Sequence, residues 1–127
     1  MKFLLDTSIF LWYISKDERL HQKNIDIIRD ENNEFFLSAI SIWECVIKEQ
    51  IGKLKLPEPT VEYLIEQREM HFISSLQLEE KCLTVLPQLP LIHRDPFDRI
   101  LICQAKFHQL TLVTSDKIFS NYPVTII

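Results

Sequence analysis

Short apolar runs alternate with longer stretches of helical periodicity, and that alternation sets what the chain can fold into. Residues 2–5 form a run that stops at Asp6; residues 35–37, 72–73 and 111–114 form three more, and 124–127 are a candidate fifth. Between them lie helical stretches: 7–14, with Thr7-Ser8 as a cap; 20–30; about 40–51, with Ser38 or Ser41 as cap and Gly52 as stop; 60–70; 79–86; and 95–108, opened by Asp95-Pro96. Residues 54–56 read as an extended link closed by Pro57 and Pro59. Strands alternating with helices predict an α/β fold whose central parallel sheet is covered on both faces. With no repeat and 127 residues, one domain over 1–127 is expected.

Gly52 is the only glycine. A dinucleotide fingerprint, a P-loop and a GxSxG elbow each need several glycines, so those nucleotide-binding and serine-hydrolase designs are excluded. Cys45, Cys82 and Cys103 are odd in number and widely spaced, which disfavours disulfides and a structural zinc and predicts buried small hydrophobes. No apolar run approaches the roughly 18 residues that span a bilayer. The first run meets Asp6 too early for a signal peptide, so a cytoplasmic location without membrane attachment is expected. The net charge of -4 argues against holding nucleic acid by bulk charge, although a bound divalent cation would reverse the local sign.

Four acids stand out by position. Asp6 and Asp116 fall at or just past expected strand carboxyl ends, where open α/β sheets bind ligands. On the helix from about residue 40, Ile40, Trp43, Ile47 and Ile51 form an apolar stripe, and Glu44 borders it within about 40° at 3.6 residues per turn. On the helix opened by Asp95, Asp98 lines up with Leu101, Ile102 and Ala105. Capping accounts for Asp95 at N-cap, and the first-turn dipole favours Asp98. Capping alone leaves unexplained why Asp98 shares the core-facing stripe. Each acid has an ordinary structural reading, and it is their convergence on one sheet edge that carries chemistry.

Four converging carboxylates repel one another; either some protonate or a cation holds them. A hard cation with oxygen ligands fits, Mg²⁺ or Mn²⁺, and the chemistry of such a site is metal-assisted phosphodiester hydrolysis. The histidines are scattered. His93, with Arg94 and Arg99, flanks the acids and is a candidate for phosphate contact, with a solvated loop as the equal alternative. Lys48, Lys53 and Lys55 either line an RNA path or form a wet surface, and Trp12 and Trp43 read as core.

The segments Leu4-Leu5-Asp6-Thr7-Ser8, Ser38-Ala39-Ile40-Ser41-Ile42-Trp43-Glu44, His93-Arg94-Asp95-Pro96-Phe97-Asp98-Arg99 and Leu112-Val113-Thr114-Ser115-Asp116, in that order, make the chain resemble the PIN-domain family and, within it, the VapC-type toxin ribonucleases of toxin–antitoxin pairs. The resemblance implies a three-layer α/β/α sandwich with a central, mostly parallel sheet of four to five strands. It implies Mg²⁺- or Mn²⁺-dependent cleavage of RNA, a cognate antitoxin and a homodimer. The family's acidic quartet falls on Asp6, Glu44, Asp98 and Asp116, as catalytic and metal-binding residues. Asp95 either joins the metal or only caps its helix. Thr7, His93, Arg94, Arg99 and Ser115 are the candidate substrate or phosphate contacts.

The alternative is a non-catalytic PIN-like module that binds RNA or protein through the same cleft. A response-regulator receiver fails because Thr7, not a second acid, follows Asp6, and an Asp-x-Asp phosphatase fails because Ser8 stands at the second position.

Overall fold

A computed structural model describes residues 1–92 and 95–127. Its elements are β1 (Lys2–Leu5), α1 (Thr7–Ser15), α2 (Gln22–Arg29), β2 (Glu34–Ser38), α3 (Ala39–Gln50), α4 (Thr60–Met70), β3 (Ser74–Leu76), a 3₁₀ segment (Glu80–Gln88), α5 (Pro96–Phe107), β4 (Thr111–Val113) and a second 3₁₀ segment (Lys117–Asn121). The four strands form one sheet in the order β3-β2-β1-β4, and every pairing is parallel.

Strand alternation divides the core in two. Phe3, Leu5, Phe35, Leu37 and Val113 point into one apolar cluster with Ile9 and Phe10 of α1, Ile28 of α2, Cys45 of α3 and Leu64 of α4. Leu4, Phe36 and Leu112 point into the other, with Leu101, Ile102, Cys103 and Ala105 of α5 and with Phe119. Side chains of period two on strands covered from both sides make the α/β/α sandwich that the alternation predicts. All three cysteines are free and buried, as expected.

The order β3-β2-β1-β4 reverses direction at β1. The chain winds outward through β2 and β3 using the helices of the first cluster, then returns by way of the first 3₁₀ segment and α5 on the opposite face to place β4 on the other side of β1. The gap beyond the carboxyl ends of β1 and β4 is therefore the switch point, where the two flanking loops part and leave a crevice.

Several local expectations are corrected. The third strand begins at Ser74, not at Phe72, because Phe72 closes α4 in a left-handed conformation (φ 58) and is 91% exposed. The stretch expected as a helix over 79–86 is instead a 3₁₀ segment, Glu80–Gln88, which runs on through Pro87, a residue without the amide that an α-helix interior needs. Residues 124–127 contribute a single parallel bridge, Leu112 with Ile126, so among the described residues the sheet has four strands. The N-cap of α1 is Asp6, not Thr7 or Ser8, and its side chain makes no capping bond. Trp43 is 56% exposed instead of core; the buried side of α3 carries Ser41, Glu44 and Cys45, and the stripe of Ile40, Trp43, Ile47 and Ile51 lies away from it. Trp43 packs edge-on against Phe97, ring centroids 5.1 Å apart, tying α3 to α5.

Candidate functional site

Asp6 is the first residue after β1. Its amide donates to the Val113 carbonyl at 2.9 Å, which extends the ladder by one rung and holds the side chain at the switch point. Asp6 is only 7% exposed. Leu5 pairs with Val113 in register, so the next residues, Asp6 and Thr114, face one another across the two strand ends. Thr114 Oγ1 donates to Asp6 Oδ2 at 2.8 Å and accepts from the Asp116 amide at 3.0 Å. One hydroxyl thus orients the first acid and fixes the turn that presents the last. Asp116 is exposed, and its Oδ1 caps the second 3₁₀ segment at the Ile118 amide.

Glu44 comes from α3, whose N-terminus is capped by Ser38 Oγ accepting from the Ile40 amide. Thr7 Oγ1 lies 2.8 Å from Glu44 Oε1 and 2.8 Å from Ser41 Oγ. A hydroxyl has one proton to give, and the carboxylate can only accept, so Thr7 donates to Glu44 and Ser41 completes the chain. The other oxygen of Glu44 pairs with Lys48 Nζ one turn along at 2.9 Å. Burial works against the Lys48 charge, but the bond to Glu44 and the electrostatic attraction of Glu44, Cys45 and Asp95 together outweigh it and hold that ammonium above its ordinary pKa.

Asp98 lies in the first turn of α5, below the Asp95 cap. Asp95 Oδ1 accepts from the amides of Phe97 at 2.9 Å and Asp98 at 3.3 Å, and Pro96 occupies the first helical position. Burial pushes the Asp98 carboxyl up to about 8, with further repulsion from Asp6, Asp95, Glu44 and Asp116. Asp6 rises to about 6, chiefly by burial; Thr114 opposes the rise, and Glu44 and Asp116 add to it. Five carboxyls therefore share one electrostatic neighbourhood. They do not form a closed coordination shell: among the described residues no three acidic, histidine or cysteine side chains are gathered tightly enough to be a ready-made metal-ligand set.

The fold thus draws Asp6, Glu44, Asp98, Asp116 and Asp95 within electrostatic influence of one another, with Thr7 bonded to Glu44. Ser115 is exposed beside Asp116. Arg99 Nη1 is bound to the Pro90 carbonyl at 2.9 Å. His93 and Arg94 lie outside the described residues. Sequence reasoning overlooked Thr114 and Ser41 as organisers. Thr114 was detectable from the strand pattern, since a polar side chain one step beyond β4 must face the one just beyond β1.

Replacing Thr114 by Val keeps the shape but leaves Asp6 Oδ2 without its donor and the Asp116 amide without its acceptor. Loss of about 1–3 kcal/mol is expected from denaturant unfolding at pH 8. The loss should shrink at pH 5, below the value of about 6 for Asp6, where the carboxyl is neutral.

The PIN domain family model matches residues 3–124. The ribonuclease VapC16 of Mycobacterium tuberculosis (strain ATCC 25618 / H37Rv) is 36% identical over 53 residues, which cover 42% of this chain and 38% of that protein. The match thus spans little more than a third of that relative's length. The structure of VapBC2 from Rickettsia felis bound to a DNA fragment from their promoter superposes with a TM-score of 0.73 at 19% identity, over 100% of this chain and 98% of that one. VapBC-1 from nontypeable Haemophilus influenzae gives 0.66 at 18% identity, over 100% and 97%. FitAcB from Neisseria gonorrhoeae gives 0.62 at 21%, over 100% and 96%. At these identities the likeness establishes the fold.

Proposed function

The chain belongs to the PIN domain family, and on that premise we propose that it is a metal-dependent endoribonuclease acting as the toxin of a toxin–antitoxin pair. The observation that carries the reading is the crowding of Asp6, Glu44, Asp98 and Asp116, with Asp95, at the switch point of the sheet, where burial and mutual repulsion hold two carboxyls partly protonated near neutral pH. A protein with only a fold to maintain has no use for that arrangement. The name of the Mycobacterium relative, a ribonuclease, supports the same chemistry, and the VapBC structures support an antitoxin partner.

The donor set fits Mg²⁺ or Mn²⁺. Every candidate ligand is a hard oxygen, and a divalent cation would restore the ionisation that crowding suppresses. Asp6, Glu44, Asp98 and Asp116 would hold the metal, and Asp95, engaged in capping through Oδ1, makes no bond through Oδ2 to the other described residues. When bound, the ion supplies Lewis acidity to a phosphodiester and lowers the pKa of an attacking water. The protein's part is positional. Thr114 holds Asp6 and Thr7 holds Glu44. Thr7, Ser115 and Arg99, with His93 and Arg94 just before Asp95 in the sequence, are the contacts proposed for substrate phosphate.

The apolar stripe of α3, with Trp43 and Ile51 exposed and Ile40 and Ile47 half-buried, supports a homodimer. We read the chain as one cytoplasmic domain; no helix among the described residues is long and apolar enough to cross a membrane. The non-catalytic reading keeps one observation in its favour, the Lys48 ammonium that already occupies one oxygen of Glu44. A single experiment decides. The purified protein, incubated with tRNA, rRNA and mRNA, should cut with Mg²⁺ or Mn²⁺, stop with a chelator and resume on metal re-addition. Intact RNA under all metal conditions would leave the binding module standing and end the nuclease.

A further inference from the structure

A cavity of about 350 Å³ opens between α1, the second half of α3 and the segment 53–56. Lys48, Lys53, Lys55 and Arg19 line it together with one carboxylate, Asp17, a local charge of +3 in a chain whose net charge is -4. Asp17 is bound to Arg19 at 2.7 Å, and Lys48 to Glu44. Among the described residues Lys53 and Lys55 form no ion pair, although Glu49 and Glu58 share an adjoining hollow with them, so two exposed ammonium groups remain to face the groove.

The groove is built, not incidental. Gly52 takes a positive φ of 78, a conformation L side chains resist, and turns the chain back so that the Lys53 amide bonds to the Lys48 carbonyl at 2.8 Å. Glu49 then pins the returning segment by accepting from the Leu56 amide and from the Thr60 hydroxyl. Both basic positions are thereby held along α3.

The groove adjoins the acidic pocket. Lys48 lines it and touches Glu44; Ser8 lines it and is adjacent to Thr7, which donates to Glu44. An acidic pocket repels a polyanion unless cations beside it recruit the strand. We propose that this groove holds the sugar–phosphate backbone of single-stranded RNA on one side of the cleaved bond, with Lys53 and Lys55 on successive phosphates. The inference rests on the ribonuclease reading and adds the path of the substrate to it. The apolar stems of Leu54 and Leu56 and the ring of Tyr63, which share the lining, suit riboses and bases better than a purely ionic surface would.

The test is a double substitution, Lys53→Gln with Lys55→Gln, assayed on a single-stranded RNA oligonucleotide. KM should rise about tenfold with kcat within about twofold. In the Asp98→Asn background, where binding is read without cleavage, the slope of log affinity against log salt should flatten by about 1.4 for two lost phosphate contacts. A charge-matched control on other faces, Lys23→Gln with Lys81→Gln, should leave both measures in place. Unchanged KM and slope in a parent that cuts RNA would overturn the groove and spare the nuclease. An equal loss in the control would also overturn it. A parent that never cuts, but binds RNA through these lysines, would overturn the nuclease and keep the groove. Loss of affinity for a polyglutamate peptide with RNA binding intact would make the groove a protein site and refute the proposal.

Discussion

Asp98→Asn should lower Mg²⁺-dependent RNA cleavage by roughly 10³-fold while the far-UV spectrum stays that of the parent. The magnitude follows from the several kcal/mol of transition-state charge stabilisation that a catalytic metal provides, at about 1.4 kcal/mol per tenfold in rate. Asn is nearly isosteric and sits in the first turn of α5, whose cap belongs to Asp95, so the helix start survives the change. It removes the charge that the crowded pocket needs for a cation. Asp6→Asn should act alike, since Asn Oδ1 still accepts from Thr114. The matching readout is thermal: Mg²⁺ should raise the melting temperature of the parent more than that of either variant, because only preferential binding to the native state stabilises it. Equal cleavage by variant and parent would remove Asp98 from the site, and an equal thermal shift would reduce the metal effect to non-specific ions.

What could be read from the sequence were features with a period or a register. Phe3, Leu4 and Leu5 are a run without polar breaks, and a strand buried on both faces follows from that. Asp95-Pro96 is a helix start with its own mechanism, and it appears in the structure with the cap bonds expected of it. A helical wheel sets Glu44 at the edge of the apolar stripe, whereas the buried face of α3 is the one that carries Glu44 itself. Ile40, Trp43 and Ile47 are more apolar than Ser41, Glu44 and Cys45, yet it is the latter that turn inward, because the pocket demands a polar lining that an apolar-stripe rule penalises. The left-handed Phe72 was illegible for a related reason. An aromatic after a helix reads as strand, and only the bond from the Ile73 amide to the Arg68 carbonyl reveals that the chain is still closing α4. Thr114 is legible only once β4 is known to lie beside β1, a fact of topology that the local strand pattern needs beside it.

The metal-free parent should lose stability as pH rises from about 4 to 9, against the habit of acidic proteins. Asp6 and Asp98 bind their protons more tightly folded than unfolded, with values of about 6 and about 8 against the ordinary 3.8. A raised native value makes the stabilisation complete below the unfolded pKa and drains it as pH climbs to the native one. While a group is protonated only in the native state, each pH unit removes about 1.4 kcal/mol. Between pH 4 and 6 both carboxyls contribute; between 6 and 8 Asp98 acts alone, its share reduced by solvent screening because it is only partly buried. Asp17, lowered to about 2 by its bonds to Arg19, works in the opposite sense but below pH 4, outside the window. Chemical denaturation of parent and Asp98→Asn across this range separates the contributions. The variant should match the parent near pH 4, exceed it by pH 8, and lie nearly flat between 6 and 8. Saturating Mg²⁺ should restore the parent at pH 8, since the cation replaces the protons as the counter-charge. A gain from Asp98→Asn that is the same at every pH would mean that the carboxyl's charge is not what strains the pocket.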